Sequence, residues 1–186
     1  NEPYYNGIIP HMIYLDYAAT TPVDQRVLDA MMPYFRENYG NPSSVHRLGQ
    51  KAETAIDSAR EKVAAVLHCR ADEIIFTSCG TESDSTAILS ALKAQPDRNT
   101  VITTNVEHPA ILKLCEWLEK EGYIVHKLKV DKKGRIDMDE YKSLLHDRVA
   151  VVSVMWANNE TGTIFPVVEM AELASAKGIM FHTDAV

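Results

Sequence analysis

Five short apolar runs, spaced by segments of helical period, constrain this chain more than any other feature. The runs are "EIIFTS" (73–78), "TVITT" (100–104), "YIVHKLKV" (123–130), "VAVVSVM" (149–155) and "IMFHTDA" (179–185). Between them lie "TESDSTAILSALKA" (81–94), "PAILKLCEWLEKEG" (109–122), "DMDEYKSLLHD" (137–147) and "VVEMAELASAKG" (167–178), whose apolar residues step by three and four. Strand alternating with helix predicts right-handed βαβ units, and hence an α/β fold with a mostly parallel sheet flanked by helices. The unbroken apolar run 149–155 fits a strand buried on both faces. Asp137 and Glu140 have capping-box spacing, and Gly122 and Gly178 are placed to close helices.

Two helical segments precede this alternation. Residues 23–38 carry Pro33, expected to kink or break the helix. Residues 43–67 place Val45, Leu48, Ala52, Ile56, Ala59, Val63 and Val66 on one stripe, which predicts a buried face, with Ser43 or Ser44 as the cap.

The 186 residues suit one large domain or one and a half small ones. A net charge of −7, with Lys and Arg scattered, argues against nucleic acid as a partner. No apolar run has the length of a membrane span, and "NEPYYNGIIPHM" lacks the layout of a secretory signal. A cytoplasmic location is the default expectation. Residues 1–11 read as a cloning remnant or an N-terminal extension ahead of Met12, leaving 12–186 as the folded segment. Cys69, Cys79 and Cys115 are odd in number and lack metal-type spacing, so free thiols are expected, with no metal site.

Ligands of parallel sheets bind beyond the carboxyl ends of the strands, which directs attention to the residues there. After 73–78 comes "CGTES", where Gly80, Thr81 and Ser83 open a helix and could bind a phosphate through free amides and the helix dipole. Ordinary capping explains the same residues. After 100–104 comes "NVEHPA", with His108 ahead of Pro109. After 149–155 comes "WANNETGT", whose asparagines could simply make the turn. Asp184 ends the last run, and a carboxylate there needs a cationic or donor partner. Together the four strand ends offer a phosphate cradle, an imidazole, an amide and a carboxylate. That set suits a phosphorylated aromatic cofactor whose ring nitrogen is held protonated, which is the chemistry of pyridoxal 5′-phosphate.

The stretches "YLDYAATTPVD" (14–24), "YGNPSSVH" (39–46), "EIIFTSCGTES" (73–83), "EHPAIL" (107–112), "NNETGT" (158–163) and "HTDAV" (182–186) resemble, in order and spacing, the N-terminal part of a NifS/IscS-type cysteine desulfurase. These are class V members of the fold-type I pyridoxal-phosphate enzymes. The resemblance implies a truncated large cofactor-binding domain. It assigns Gly80 and Thr81 to the cofactor phosphate and Asp184 to the pyridine nitrogen. His108 would stack on the ring and assist proton transfer, and Asn159 would lie near the ring hydroxyl and the substrate carboxylate. Relatives often carry alanine where this chain has Gly80, and asparagine where "TESDS" ends in Ser85.

By the same resemblance, the parent enzyme converts L-cysteine to L-alanine and leaves a persulfide for a sulfur-acceptor or scaffold protein in iron–sulfur cluster assembly or tRNA thiolation. It would do so as a homodimer. The family's cofactor-anchoring lysine and sulfur-accepting cysteine lie downstream of the matched stretches, so Cys79 is not expected to be the nucleophile. The 186 residues alone are expected to be inactive, and to need a companion C-terminal portion. The alternatives are another class V enzyme (an aminotransferase, selenocysteine lyase or kynureninase relative) or a non-catalytic binding module.

Overall fold

A computed structural model describes residues 13–186 of the chain. The reading of residues 1–11 as remnant or extension lies outside the described residues. The chain divides into two compact units, up to Phe76 and from Thr77 onward.

The first unit is helical. Helix α1 spans Gln25–Arg36, opened by Asp24, whose carboxylate accepts from the Arg26 amide at 2.8 Å. Pro33 lies inside α1 and does not break it. It removes only the bond its own N–H would have given to the Asp29 carbonyl, and it stands in the last turn, where the helix ends three residues later. Helix α2 spans Arg47–Leu67. Its cap is His46, whose Nδ1 accepts from the Gly49 amide at 3.3 Å, and neither Ser43 nor Ser44 fills that role. Those serines belong to a preceding turn, in which Asn41 Oδ1 accepts from the Ser43 amide and the Asn41 carbonyl from the Ser44 amide.

The expected buried stripe of α2 is buried only at Ala52; Val45, Leu48, Ile56, Ala59, Val63 and Val66 are exposed. The pattern makes an apolar face, but a face is buried only where another surface meets it. The run 73–78 is also corrected: Ala71–Glu73 is a 3₁₀ turn and no ladder forms over the rest. Ile74 has extended dihedrals, and Ile75 and Phe76 are exposed. β-propensity without a hydrogen-bonded neighbour gives extended chain and no strand.

Gly49 is buried within α2, and a methyl group there would collide with the carbonyl oxygens of Ser44 and Asn41. Alanine normally favours a helix by about 1 kcal/mol over glycine. Overpacking against backbone costs about 1–3 kcal/mol, and backbone oxygens cannot swing aside as a side chain can. Gly49→Ala is therefore expected to lower stability despite the better propensity, as a lower melting temperature of the helical circular dichroism signal.

The second unit is the predicted α/β layer structure. Strands β1 (Thr100–Thr104), β2 (Ile124–Leu128), β3 (Val149–Ser153) and β4 (Met180–His182) form a parallel sheet in the order β2-β1-β3-β4. Helices α3 (Gly80–Ala94) and α4 (Pro109–Lys120) contribute Ile88, Leu92, Ile111, Cys115 and Leu118 to one core, with Val101 and Val151 from the sheet. Helices α5 (Met138–Leu144) and α6 (Val167–Ser175) contribute Tyr141, Met170 and Ala174 to the other, with Ile102 and Val152. Neighbouring strand residues thus face opposite layers, as the two-residue period of a strand requires. β1 and β3 are buried throughout, and the one polar atom of Tyr141 donates to the Met170 carbonyl at 2.7 Å. This topology brings the carboxyl ends of β1, β3 and β4 side by side.

Candidate cofactor site at the strand ends

Helix α3 starts at Gly80 with no side chain capping its amides. Helices α1, α2, α4 and α5 each receive a side-chain cap from Asp24, His46, His108 and Asp137. The first-turn N–H groups of α3 thus have no capping hydroxyl or carboxylate, only the Cys79 thiol beside the Glu82 and Thr81 amides, and the positive end of the dipole favours an anion. Their field is felt by Cys79. The Glu82 amide foremost, then the Ser78 hydroxyl, hold the exposed Cys79 thiol below its ordinary range. The Glu82 carboxylate folds back, accepting from the Ser78 amide at 2.7 Å and the Ser78 hydroxyl at 2.5 Å. A Cβ at position 80 would stand 3.0 Å from Cγ2 of Val186, whose side chain is exposed.

His108 caps α4, with Nδ1 accepting from the Ala110 amide at 3.2 Å. That bond requires an unprotonated Nδ1 and leaves Nε2 to point away from the helix. The ring is exposed. Next to it, Glu107 is 4% exposed and joins two strand ends. Its carboxylate accepts from Thr104 Oγ1 at 2.6 Å and from the Met155 amide at 3.0 Å. Burial pushes it up to about 7, against the lowering effect of these two bonds.

The two asparagines after β3 divide the work. Asn158 is buried and makes the turn: its Oδ1 accepts from the Glu160 and Thr161 amides, and its Nδ2 donates to the Val106 carbonyl at 3.0 Å. Asn159 is exposed, and its amide donates to Glu160 at 3.3 Å. With the turn built by its neighbour, Asn159 is left available to a ligand.

Asp184 is half-buried beyond β4. Its carbonyl accepts from the Trp156 amide at 2.8 Å, and its Oδ1 from the Val186 amide at 3.1 Å. Its charge reaches across the strand ends, raising both Asp84 and Glu107. Asp84 rises to about 6, through burial first and then through Asp184, while His108 lowers it. His182 is held below the ordinary histidine range by burial, against the pull of Asp184.

Of the residues expected from sequence, His108 and Asp184 both lie near enough to Asp84 for their charges to act on it, and Gly80 lies beside Val186, two residues after Asp184. Three further groups were not singled out: Asp84, Glu107 and His182. Glu107 had a legible signal, a carboxylate three residues beyond an apolar strand and inside a helix-opening turn.

A family model described as aminotransferase class-V matches residues 13–186. The chain belongs to the aminotransferase class-V family. Within the family its resemblance is to cysteine desulfurases. It is 65% identical over 175 residues to cysteine desulfurase NifS of Azotobacter vinelandii, covering 94% of this chain and 44% of that protein. It is 62% identical over 174 residues to the cysteine desulfurase of Azotobacter chroococcum mcd 1, covering 94% and 43%. Among solved structures, a NifS-like protein aligns with TM-score 0.89 and 40% identity, covering 94% of this chain and 48% of that one. A structure of SspA in complex with cysteine aligns with TM-score 0.87 and 35% identity, covering 92% and 50%. The expected α/β fold with a parallel sheet is the one these class V relatives share. The chain spans less than half the length of the curated relatives it matches.

The residues present fit a phosphorylated, cationic aromatic group. The open amides of α3 suit a phosphate, and the exposed His108 ring suits an aromatic face. Asp184, with Asp84 and Glu107 behind it, makes the far end a place where positive charge is welcome.

Proposed function

We propose that the protein carrying this chain is a pyridoxal-phosphate-dependent cysteine desulfurase. L-cysteine and an enzyme thiol would give L-alanine and an enzyme persulfide. The carbon–sulfur bond of the substrate breaks, a sulfur–sulfur bond forms, and a proton moves to the carbon that becomes the alanine methyl. The observation that carries the reading is the meeting of open α3 amides, His108 and Asp184 at the carboxyl ends of one parallel sheet. The 65% identity to a cysteine desulfurase favours this reading over another class V activity.

Gly80 and Thr81 would bind the phosphate through their amides, and His108 would cover the ring. Asp184 would hold a proton at the ring nitrogen. When bound, the protonated ring supplies an electron sink for negative charge developing on the substrate. Exposed Asn159 would orient the substrate carboxylate. His108, with Nδ1 committed to the Ala110 amide, would exchange protons through Nε2. The same proposal includes a homodimer, a protein sulfur acceptor and a cytoplasmic location, the last supported by three free cysteines.

The sulfur-accepting thiol is placed on neither Cys115 nor Cys79. Cys115 is buried in the core and pushed up to about 11 by that burial. Cys79 has a lowered thiol, but it starts a helix on a rigid turn, and sulfur transfer needs a thiol that can travel. The test is sulfide and alanine release from cysteine under reductant, by the protein at the full length of its relatives. Release is expected, and Cys79→Ser should leave it largely intact. Transamination without sulfide would replace the reading by another class V activity, and a persulfide found on Cys79 would overturn its exclusion.

A further inference from the structure

The cofactor site proposed above has two ends on different elements. Gly80 and Thr81 open α3, and Asp184 follows β4. A ligand that engages both ends fixes the spacing between them, so something must hold α3 and the end of β4 in register. Backbone bonds hold β4 to β3 only: the Val154 amide donates to the His182 carbonyl at 3.1 Å and the Trp156 amide to the Asp184 carbonyl at 2.8 Å. They do not reach α3.

A side-chain chain does. Ser153, fully buried on β3, lies with Oγ 2.9 Å from His182 Nδ1. On the other side of the ring, His182 Nε2 lies 3.4 Å from Asp84 Oδ1 on α3. Asp84 is 5% exposed. It stands four residues after Gly80, hence on the same face of α3 and one turn deeper. His182 and Asp184 are two residues apart in extended chain, so they point to the same face of the sheet. Burial keeps the imidazole neutral. The contacts then run from Ser153 Oγ to His182 Nδ1, where the hydroxyl can donate to the ring, and from His182 Nε2 to Asp84 Oδ1, a close polar contact at 3.4 Å.

We propose that Asp84 is a positioning residue, which through His182 and Ser153 clamps the segment bearing Asp184 against the helix that presents Gly80 and Thr81. The clamp sets the distance between the phosphate end and the ring-nitrogen end of the site. It rests on the proposed cofactor reading for its purpose, but its mechanical content is independent of any ligand. Buried charged side chains are costly unless they are paired, and here the pairing runs across the gap that the backbone leaves unbridged.

Two measurements on the protein at the full length of its relatives test it. The first is amide hydrogen exchange at Trp156, whose N–H reports the position of the Asp184 carbonyl. Asp84→Ala should speed exchange at Trp156 severalfold, because the polar contact that ties α3 to His182 is lost. The amides of β1 should change little. Asp84→Asn keeps an acceptor of the same size and should restore slow exchange. The second measurement compares two ligands, pyridoxal phosphate and inorganic phosphate. Asp84→Ala should weaken the first severalfold, since it needs both ends, and leave the second unchanged, since it needs one.

Unchanged exchange at Trp156 in Asp84→Ala would overturn the clamp. So would a uniform rise across β1 and β3, which would assign Asp84 to general packing. Equal weakening of both ligands would place the damage in the α3 amides and overturn it too. If the unaltered chain bound no pyridoxal phosphate, the proposed cofactor site would fail, and exchange at Trp156 would still decide the clamp.

Discussion

Replacing Asp184 with alanine is expected to slow cysteine desulfuration by about ten- to a hundredfold, and to weaken cofactor binding much less. A hydrogen bond to a charged group is worth roughly 1.5–3 kcal/mol, and each 1.4 kcal/mol of lost transition-state stabilisation is about tenfold in rate. Asp184 can deliver such a bond because it is half-buried and held by its own turn, with Oδ1 accepting from the Val186 amide. In the proposed site, the ring nitrogen would carry a full positive charge only while the carboxylate is there. Phosphate binding does not depend on it, because the open amides of α3 belong to another element. Rate and affinity should therefore part company, with turnover suffering more. Asp184→Asn is the sharper variant, since it keeps size and hydrogen bonding but cannot hold the proton. Steady-state kinetics beside a cofactor titration, on the protein at the full length of its relatives, make the comparison. Unchanged turnover in either variant would remove Asp184 from its role.

The second unit was legible because its sequence changes period at each boundary. The runs 100–104 and 149–155 are strands within those limits, and Gly122 and Gly178 follow their helices with φ of 90° and 64°. What could not be read were facts about neighbours. "EIIFTS" has strand composition but no ladder, and the stripe of α2 has helical spacing but little burial. In both cases the residues state a preference and the missing term is a partner surface. The cap of α2 was misassigned for a related reason. Serine is the commoner cap, but Asn41 had already drawn Ser43 and Ser44 into its own turn. At the site, Gly80, Thr81, His108, Asn159 and Asp184 could be named as candidates because each opens a helix or lies in the turn beyond a strand. Asp84 and His182 could not. Their importance lies in meeting one another across α3 and β4, and nothing in a linear spacing of 98 positions announces that contact.

Glu107 should make the stability of the chain fall as pH rises through the weakly acidic range. Its carboxyl is pushed from the ordinary 4.5 to about 7, chiefly by burial. The folded chain therefore keeps a proton that the unfolded chain releases between those values. The stabilisation is fully present below about 4.5 and is lost as pH passes through about 7. At about 1.36 kcal/mol per pH unit, the span from 4.5 to about 7 is worth on the order of 3 kcal/mol. Asp84, raised from 3.8 to about 6, pulls the same way, whereas Asp131, lowered to about 2, acts below this window. Glu107→Gln isolates the effect. The amide cannot titrate, yet its oxygen can accept from the Met155 amide and its nitrogen can donate to Thr104 Oγ1, the groups that Glu107 now joins. Urea unfolding of both proteins should show the unaltered chain losing stability relative to Glu107→Gln from about pH 4.5 to about pH 7, with the Asp84 contribution cancelling in the difference. Parallel pH profiles would refute the assignment. Glu107→Ala should behave differently again. It leaves the buried Met155 amide without its acceptor, at about 1–3 kcal/mol, and takes from the Thr104 hydroxyl the acceptor of its proton, so it should destabilise at every pH. It would also uncouple the ends of β1 and β3 next to His108, and loosen the turn from which that ring reaches the site.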